Sequence, residues 1–142
     1  MKRLTCFLLI LCLVPVCAFA LDLSEFNDIA SVFGADRIDE KTATVKNGAY
    51  YYNSDDCQII IVEESGEFSQ IFITGKGDAF LAYCAAAIYV SDSANSFVSN
   101  NGQLLTVYLM AHKGGRMNGQ MTHGQYFFIE QKDENFVFMT GK

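Results

Sequence analysis

Two histidines, two cysteines and several clustered carboxylates are the residues of this chain whose types and spacing could do chemistry. His112 and His123 stand at the two ends of KGGRMNGQMT, so a hairpin there would bring two imidazoles together. A metal would still need further ligands, and that loop contains no Cys, Asp or Glu, so two exposed hairpin histidines are the better expectation and no metal is expected. Asp55-Asp56, Glu63-Glu64 and Glu67 are sequence neighbours. Neighbours on a strand point to opposite faces, so these are not ready-made acid–base pairs and fit solvated turns. The stretch TGKGD (Thr74 to Asp78) joins a predicted strand to a predicted helix. It lacks the four-residue spacing of a phosphate-binding loop, and turn chemistry accounts for its glycines. Calcium-loop spacing and a Gly-x-Ser-x-Gly elbow are both missing from the sequence, and no cofactor is expected.

The cysteines depend on where the chain resides. Lys2 and Arg3, an apolar run LTCFLLILCLVPVC and the small residues of AFA have the anatomy of a secretory signal over residues 1–20, cleaved after Ala20. That run is shorter than a comfortable membrane span, and none is expected in the mature chain. Cys6, Cys12 and Cys17 would leave with the signal, while Cys57 and Cys84 remain. An even pair in an exported chain points to a disulfide, which would stabilise by about 3 kcal/mol. The alternative is that Cys84, within an apolar helical stretch, is a small buried hydrophobe.

The remaining 122 residues, Leu21 to Lys142, suit a single domain. Without Lys2 and Arg3, eight cationic side chains face sixteen anionic ones, a net charge of −8. Such a balance argues against a nucleic-acid partner, which requires clustered cations.

The elements that must position these residues read as one unit written twice. In SEFNDIASVFG, apolar Phe26, Ile29, Ala30 and Phe33 recur at helical spacing, with Ser24 as the expected N-cap and Gly34 as the stop. TATV and AYYY flank Asn47-Gly48, a hairpin signal; CQIIIVE and FSQIFIT follow as strands. GKGDAFLAYCAAAIYVSDS then predicts a helix capped by Asp78 and running to about Val90. SFVS and QLLTVYLMAH flank Asn101-Gly102, predicting a second hairpin, before QYFFIEQ and NFVFMT. Residues shifted by 54 match through the helix and first hairpin, and IFITGKG reappears as VFMTGK at a shift of 66. The expectation is an α+β fold: a tandem duplication of a helix plus a four-stranded antiparallel meander, with repeat one at about 22–76 and repeat two at about 77–142. The second repeat would carry about twelve inserted residues around His112 to His123.

A sheet with one wet face alternates apolar and polar residues. IIIV, YYY, YFFI and FVF are apolar on both faces, so two helices cannot cover all of them. This predicts a strongly curved sheet that encloses its own side chains, or a free face that receives a partner. Tyr50 and Tyr52 share one side of their strand and Tyr51 takes the other, with one side core and the other contact surface. Lys113 and Arg116, among the glycines Gly114, Gly115 and Gly119, predict a cationic loop over residues 113–120. Two tandem helix-plus-four-strand units with aromatics on a sheet resemble the arrangement of β-lactamase inhibitor proteins and related exported binding modules, in topology alone. The resulting expectation is an exported, non-enzymatic binding module for a protein partner or a second copy. Its contact residues would be Tyr50, Tyr52, His112, Lys113, Arg116 and His123. A small-molecule or lipid binder with an apolar cavity enclosed by the sheet is the alternative, and an enzyme a lesser one.

Overall fold

The computed structural model describes residues 22–65, 67–91, 97–121 and 125–141. Helix α1 spans Ser24–Val32, and a single 3-10 turn covers Glu40–Thr42. Four strands follow: β1 (Thr44–Lys46), β2 (Ala49–Ser54), β3 (Cys57–Glu64) and β4 (Glu67–Gly75). Two helices come next, α2 (Gly77–Ser91) and α3 (Phe97–Ala111), and then β5 (Arg116–Gln120), β6 (Tyr126–Lys132) and β7 (Asn135–Gly141). The strands form one antiparallel sheet in the order β1-β2-β3-β4-β7-β6-β5, so the chain is α+β.

The first half forms as its sequence dictates. Asn47 and Gly48 both take positive φ, +52° and +76°, in the tight β1–β2 turn. Gly34, at φ +88°, ends α1. The start of α1 differs from expectation. Ser24 lies inside the helix, and the Asp22 carboxylate accepts from its N–H at 2.9 Å and its hydroxyl at 2.7 Å. An acidic side chain just before the first turn thus does the capping.

The second half corrects the expected duplication. Residues 97–111 form helix α3, where a hairpin around Asn101-Gly102 was expected. An Asn-Gly pair turns the chain only where both flanks have strands to join. Here Leu104, Val107 and Ala111 are buried at spacings of three and four, a helical stripe that packs α3 over β5 and β6. Among the described residues, the second half is therefore two helices and three strands. The repeated phrase does not give matching faces either: Phe138 pairs with Ile73 on the buried side, whereas Phe72 pairs with Met139 on the other. The expected strong curvature is also corrected, because the sheet is open, with β1 and β5 as its edges.

The three helices among the described residues lie on one side of the sheet. Helix α2 rests on β4 and β7 at the centre, and α1 packs against α2. Phe80, Tyr83, Cys84, Ala86 and Ala87 of α2 are fully buried, and Ala82, Ala85 and Ile88 nearly so. A helix buried almost all round must be sandwiched, and its alanines let both neighbours approach closely. The sheet offers it Ile59, Ile61, Ile71, Ile73 and Phe138, each with no exposed surface. Burial of each of these side chains stabilises the fold by roughly 2 kcal/mol.

Candidate binding surfaces

Each directly opposed pair in an antiparallel sheet shares a face, so the register sorts the strand residues into two layers. Tyr52, Ile59, Ile73 and Phe138 follow one another beneath the helices on β2, β3, β4 and β7. One residue along, the opposite face carries a row that crosses all seven strands: Thr44, Tyr51, Ile60, Phe72, Met139, Phe128 and Asn118. Its five central members are apolar or aromatic, and both ends are polar. The adjacent row reads Asn53, Gln58, Thr74, Val137, Glu130 and Arg116. The five central side chains are half-buried, and the described helices lie on the other side of the sheet. An apolar centre inside a polar rim is the anatomy of an interface.

Arg116 completes that surface. Its guanidinium carbon lies 3.8 Å from the centroid of the Phe128 ring. A cation in that position gains about 0.5–1 kcal/mol at an exposed site and extends the apolar row to a charged margin. Residues 113–120 do not form the single cationic loop expected from their charges and glycines. Gly114 and Gly115, at φ +96° and +99°, make a short turn out of α3, and Arg116–Gln120 is the edge strand β5. Gly119 is required there for space, because a Cβ on it would collide with the Phe127 ring.

The other residues singled out by the sequence are scattered. Tyr52 is 1% exposed and belongs to the core, and burial pushes its hydroxyl up to about 12. Tyr50 lies on the same helix-covered face and donates to Glu63 at 3.2 Å. Tyr52 is thus too buried to make contacts, Tyr50 stands half-buried on the helix side, and the tyrosine on the open face is Tyr51. His112 follows the end of α3 and packs edge-on against Tyr108 and Phe136, with ring centroids 4.7 and 4.6 Å away. Lys113 is exposed in the turn that follows. His123 and the expected signal over residues 1–20 lie outside the described residues.

Cys57 and Cys84 are both free thiols and both buried, which corrects the disulfide. Burial pushes each thiol up, Cys84 well above the usual range, and so keeps them protonated and unreactive. A Cβ on Gly75 would strike the Cys57 sulfur, so TGKGD is glycine-rich for packing here and for its φ of +74° at Gly77.

The paired acids do structural work. Asp55 and Asp56, at φ +51° and +58°, form the β2–β3 turn, where asparagine and glycine are the usual choice. Asp55 accepts from the Asp36 N–H at 2.7 Å and from Tyr83 Oη at 3.1 Å. Tyr83 Oη also reaches Ser54 Oγ and the Asp36 carbonyl, both at 2.8 Å, and its ring stacks on Phe26 with centroids 6.0 Å apart. Burial pushes this hydroxyl up to about 12 as well. Among the described residues, no group of three or more His, Cys, Asp or Glu side chains converges as a metal centre would require. Among the same residues, no helix is long and apolar enough to cross a membrane.

Comparison with protein-family models, with curated proteins and with solved structures returns no match.

Proposed function

We propose that this chain is an exported, non-enzymatic binding module that engages a protein, a second copy of itself included, through the open face of its sheet. The observation that carries this reading is the run Tyr51–Ile60–Phe72–Met139–Phe128, five large apolar side chains in register across five strands. Isolated apolar residues on a surface are ordinary, whereas a contiguous apolar patch rimmed by polar groups marks an interaction site. Arg116, laid over Phe128, belongs to the contact surface. Export rests on the basic, apolar and small-residue segments of the first twenty positions.

A small-molecule or lipid cavity enclosed by the sheet has no support from this geometry, because the sheet is open at β1 and β5. The test is oxidative footprinting of the purified protein, alone and in its associated state, combined with sedimentation equilibrium. Association, with itself or with a partner, should protect Met139 and lower the labelling of Tyr51 and Phe72. An associated state in which Met139 oxidises as fast as in the free protein would remove the sheet face from the interface.

A further inference from the structure

The row across the open sheet face is symmetric about its middle. The strand order puts β4 at the centre of the sheet, with equal numbers of strands on either side. Outward from Phe72 on β4, the row carries Ile60 and Met139 on β3 and β7, and then Tyr51 and Phe128 on β2 and β6. It ends on Thr44 and Asn118 at the two edges. A flexible apolar chain thus mirrors another, an aromatic ring mirrors a ring, and polar mirrors polar. The flanking rows are matched in the same sense. Asn53 of β2 mirrors Glu130 of β6 on one flank. On the other, Lys46 mirrors Gln120, and Ala49 mirrors Tyr126, a small side chain against a ring that is 60% exposed. No two like charges stand in these mirrored positions.

We propose that the occupant of this face is a second copy of the chain, laid face to face about a two-fold axis running along β4. The inference rests on the reading of the open face as an interface and commits that interface to one partner. The axis sets Phe72 on Phe72, Ile60 on Met139 and Tyr51 on Phe128 of the second copy. Such self-complementarity is what a two-fold contact requires, because one patch must serve as both halves. Sheets stack ~10 Å apart with their side chains interdigitated, so each large side chain here finds an apolar neighbour. The Glu130 carboxylate meets the Asn53 amide, and the Lys46 ammonium meets the Gln120 carbonyl, each a donor set on an acceptor. Two acidic chains can therefore approach over this face without opposing like charges. The area suffices as well. Seven strands spaced ~4.8 Å apart and three rows spaced ~6.8 Å apart give roughly 600–700 Å² from each copy, against ~800 Å² per partner in a standard stable interface.

The test is sedimentation equilibrium of the purified protein and of its Ile60→Lys and Met139→Glu variants, whose fold is checked by circular dichroism. The parent should dimerise with a Kd below about 100 μM, and each variant alone at least tenfold more weakly. An equimolar mixture of the two variants should regain a dimer, since the axis sets position 60 of one copy on position 139 of the other. Without any variant, a mixture of isotope-labelled and unlabelled parent should give intermolecular NOEs between the Ile60 and Met139 methyls, and between the Tyr51 and Phe128 rings. A parent that stays monomeric at about 1 mM overturns the second copy as occupant, and leaves the face to a foreign partner that protects Met139. A dimer in which Met139 oxidises as fast as in the monomer overturns this inference and the reading beneath it together. NOEs that join Tyr51 to Tyr51, or a mixture no tighter than either variant alone, overturn the axis.

Discussion

Phe72 and Met139 face each other across the β4–β7 junction, at the centre of the sheet and on the side away from the helices. Their pairing joins the two halves of the chain into one apolar surface, which neither half presents alone. A charge placed there should cost the fold little, because both side chains already sit at a half-buried, partly wet position. Phe72→Glu is expected to change the urea midpoint only slightly, by well under 1 M, while abolishing association. Circular dichroism and sedimentation separate the two effects. A variant that stays folded and still associates would argue against the face.

Tyr83 ties α2 to the β2–β3 turn and to the segment after α1 through a single hydroxyl. Tyr83→Phe should therefore destabilise by about 1–2 kcal/mol in urea denaturation. The pH dependence has a definite sign. The hydroxyl's pKa rises from 10.0 unfolded to about 12 folded, so the native state favours its neutral form. That contribution is fully present below pH 10 and is lost as pH climbs toward 12. Tyr52 adds to the same window for the same reason, its burial. Stability measured from pH 9 to pH 12 should fall, and less steeply in Tyr83→Phe than in the parent.

Asn27 is 3% exposed, and its amide binds the backbone of Ile38 in both directions, at 2.9 and 2.8 Å. The pair imitates one rung of a strand ladder and pins residues 33–39 against α1. Asn27→Ala removes both bonds and leaves a buried N–H and a buried carbonyl unpaired, at a cost of about 3 kcal/mol. Asn27→Asp keeps one acceptor but sets a carboxylate against the Ile38 carbonyl, and should be no better. Denaturant unfolding of both variants checks this; parental stability in either would remove the clamp.

The buried thiols make a chemical prediction. In the native protein Cys57 and Cys84 should resist alkylation at pH 8, and in denaturant without reductant both should be labelled. Peptide mapping distinguishes this from a bridge, since a linked Cys57–Cys84 peptide would contradict two free thiols.

The sequence made the first half legible because its signals there were local and agreed with one another. Asn47-Gly48 lay between two segments able to pair, and α1 carried a one-sided apolar stripe ending at Gly34. Asn101-Gly102 looked the same over two residues but lay within a fifteen-residue helix, where the stripe of Leu104, Val107 and Ala111 outweighed it. The strand faces were hidden for a different reason. With apolar residues on both sides of β3, β4 and β7, alternation could not say which side the helices would take. Tyr50, Tyr51 and Tyr52 were correctly divided into two sides, but only the packing of α2 decides that Tyr51 is the one left outside.

The two margins of the sheet limit how the molecule can meet others. β1 offers three residues, and β5 presents Arg116, Asn118 and Gln120 toward the open side with Gly119 between the last two. Such short, polar and charged borders are poor templates for adding a further strand. Growth into ribbons by edge pairing is thereby discouraged. A layered contact, plane against plane, is left as the geometry by which these molecules would stack.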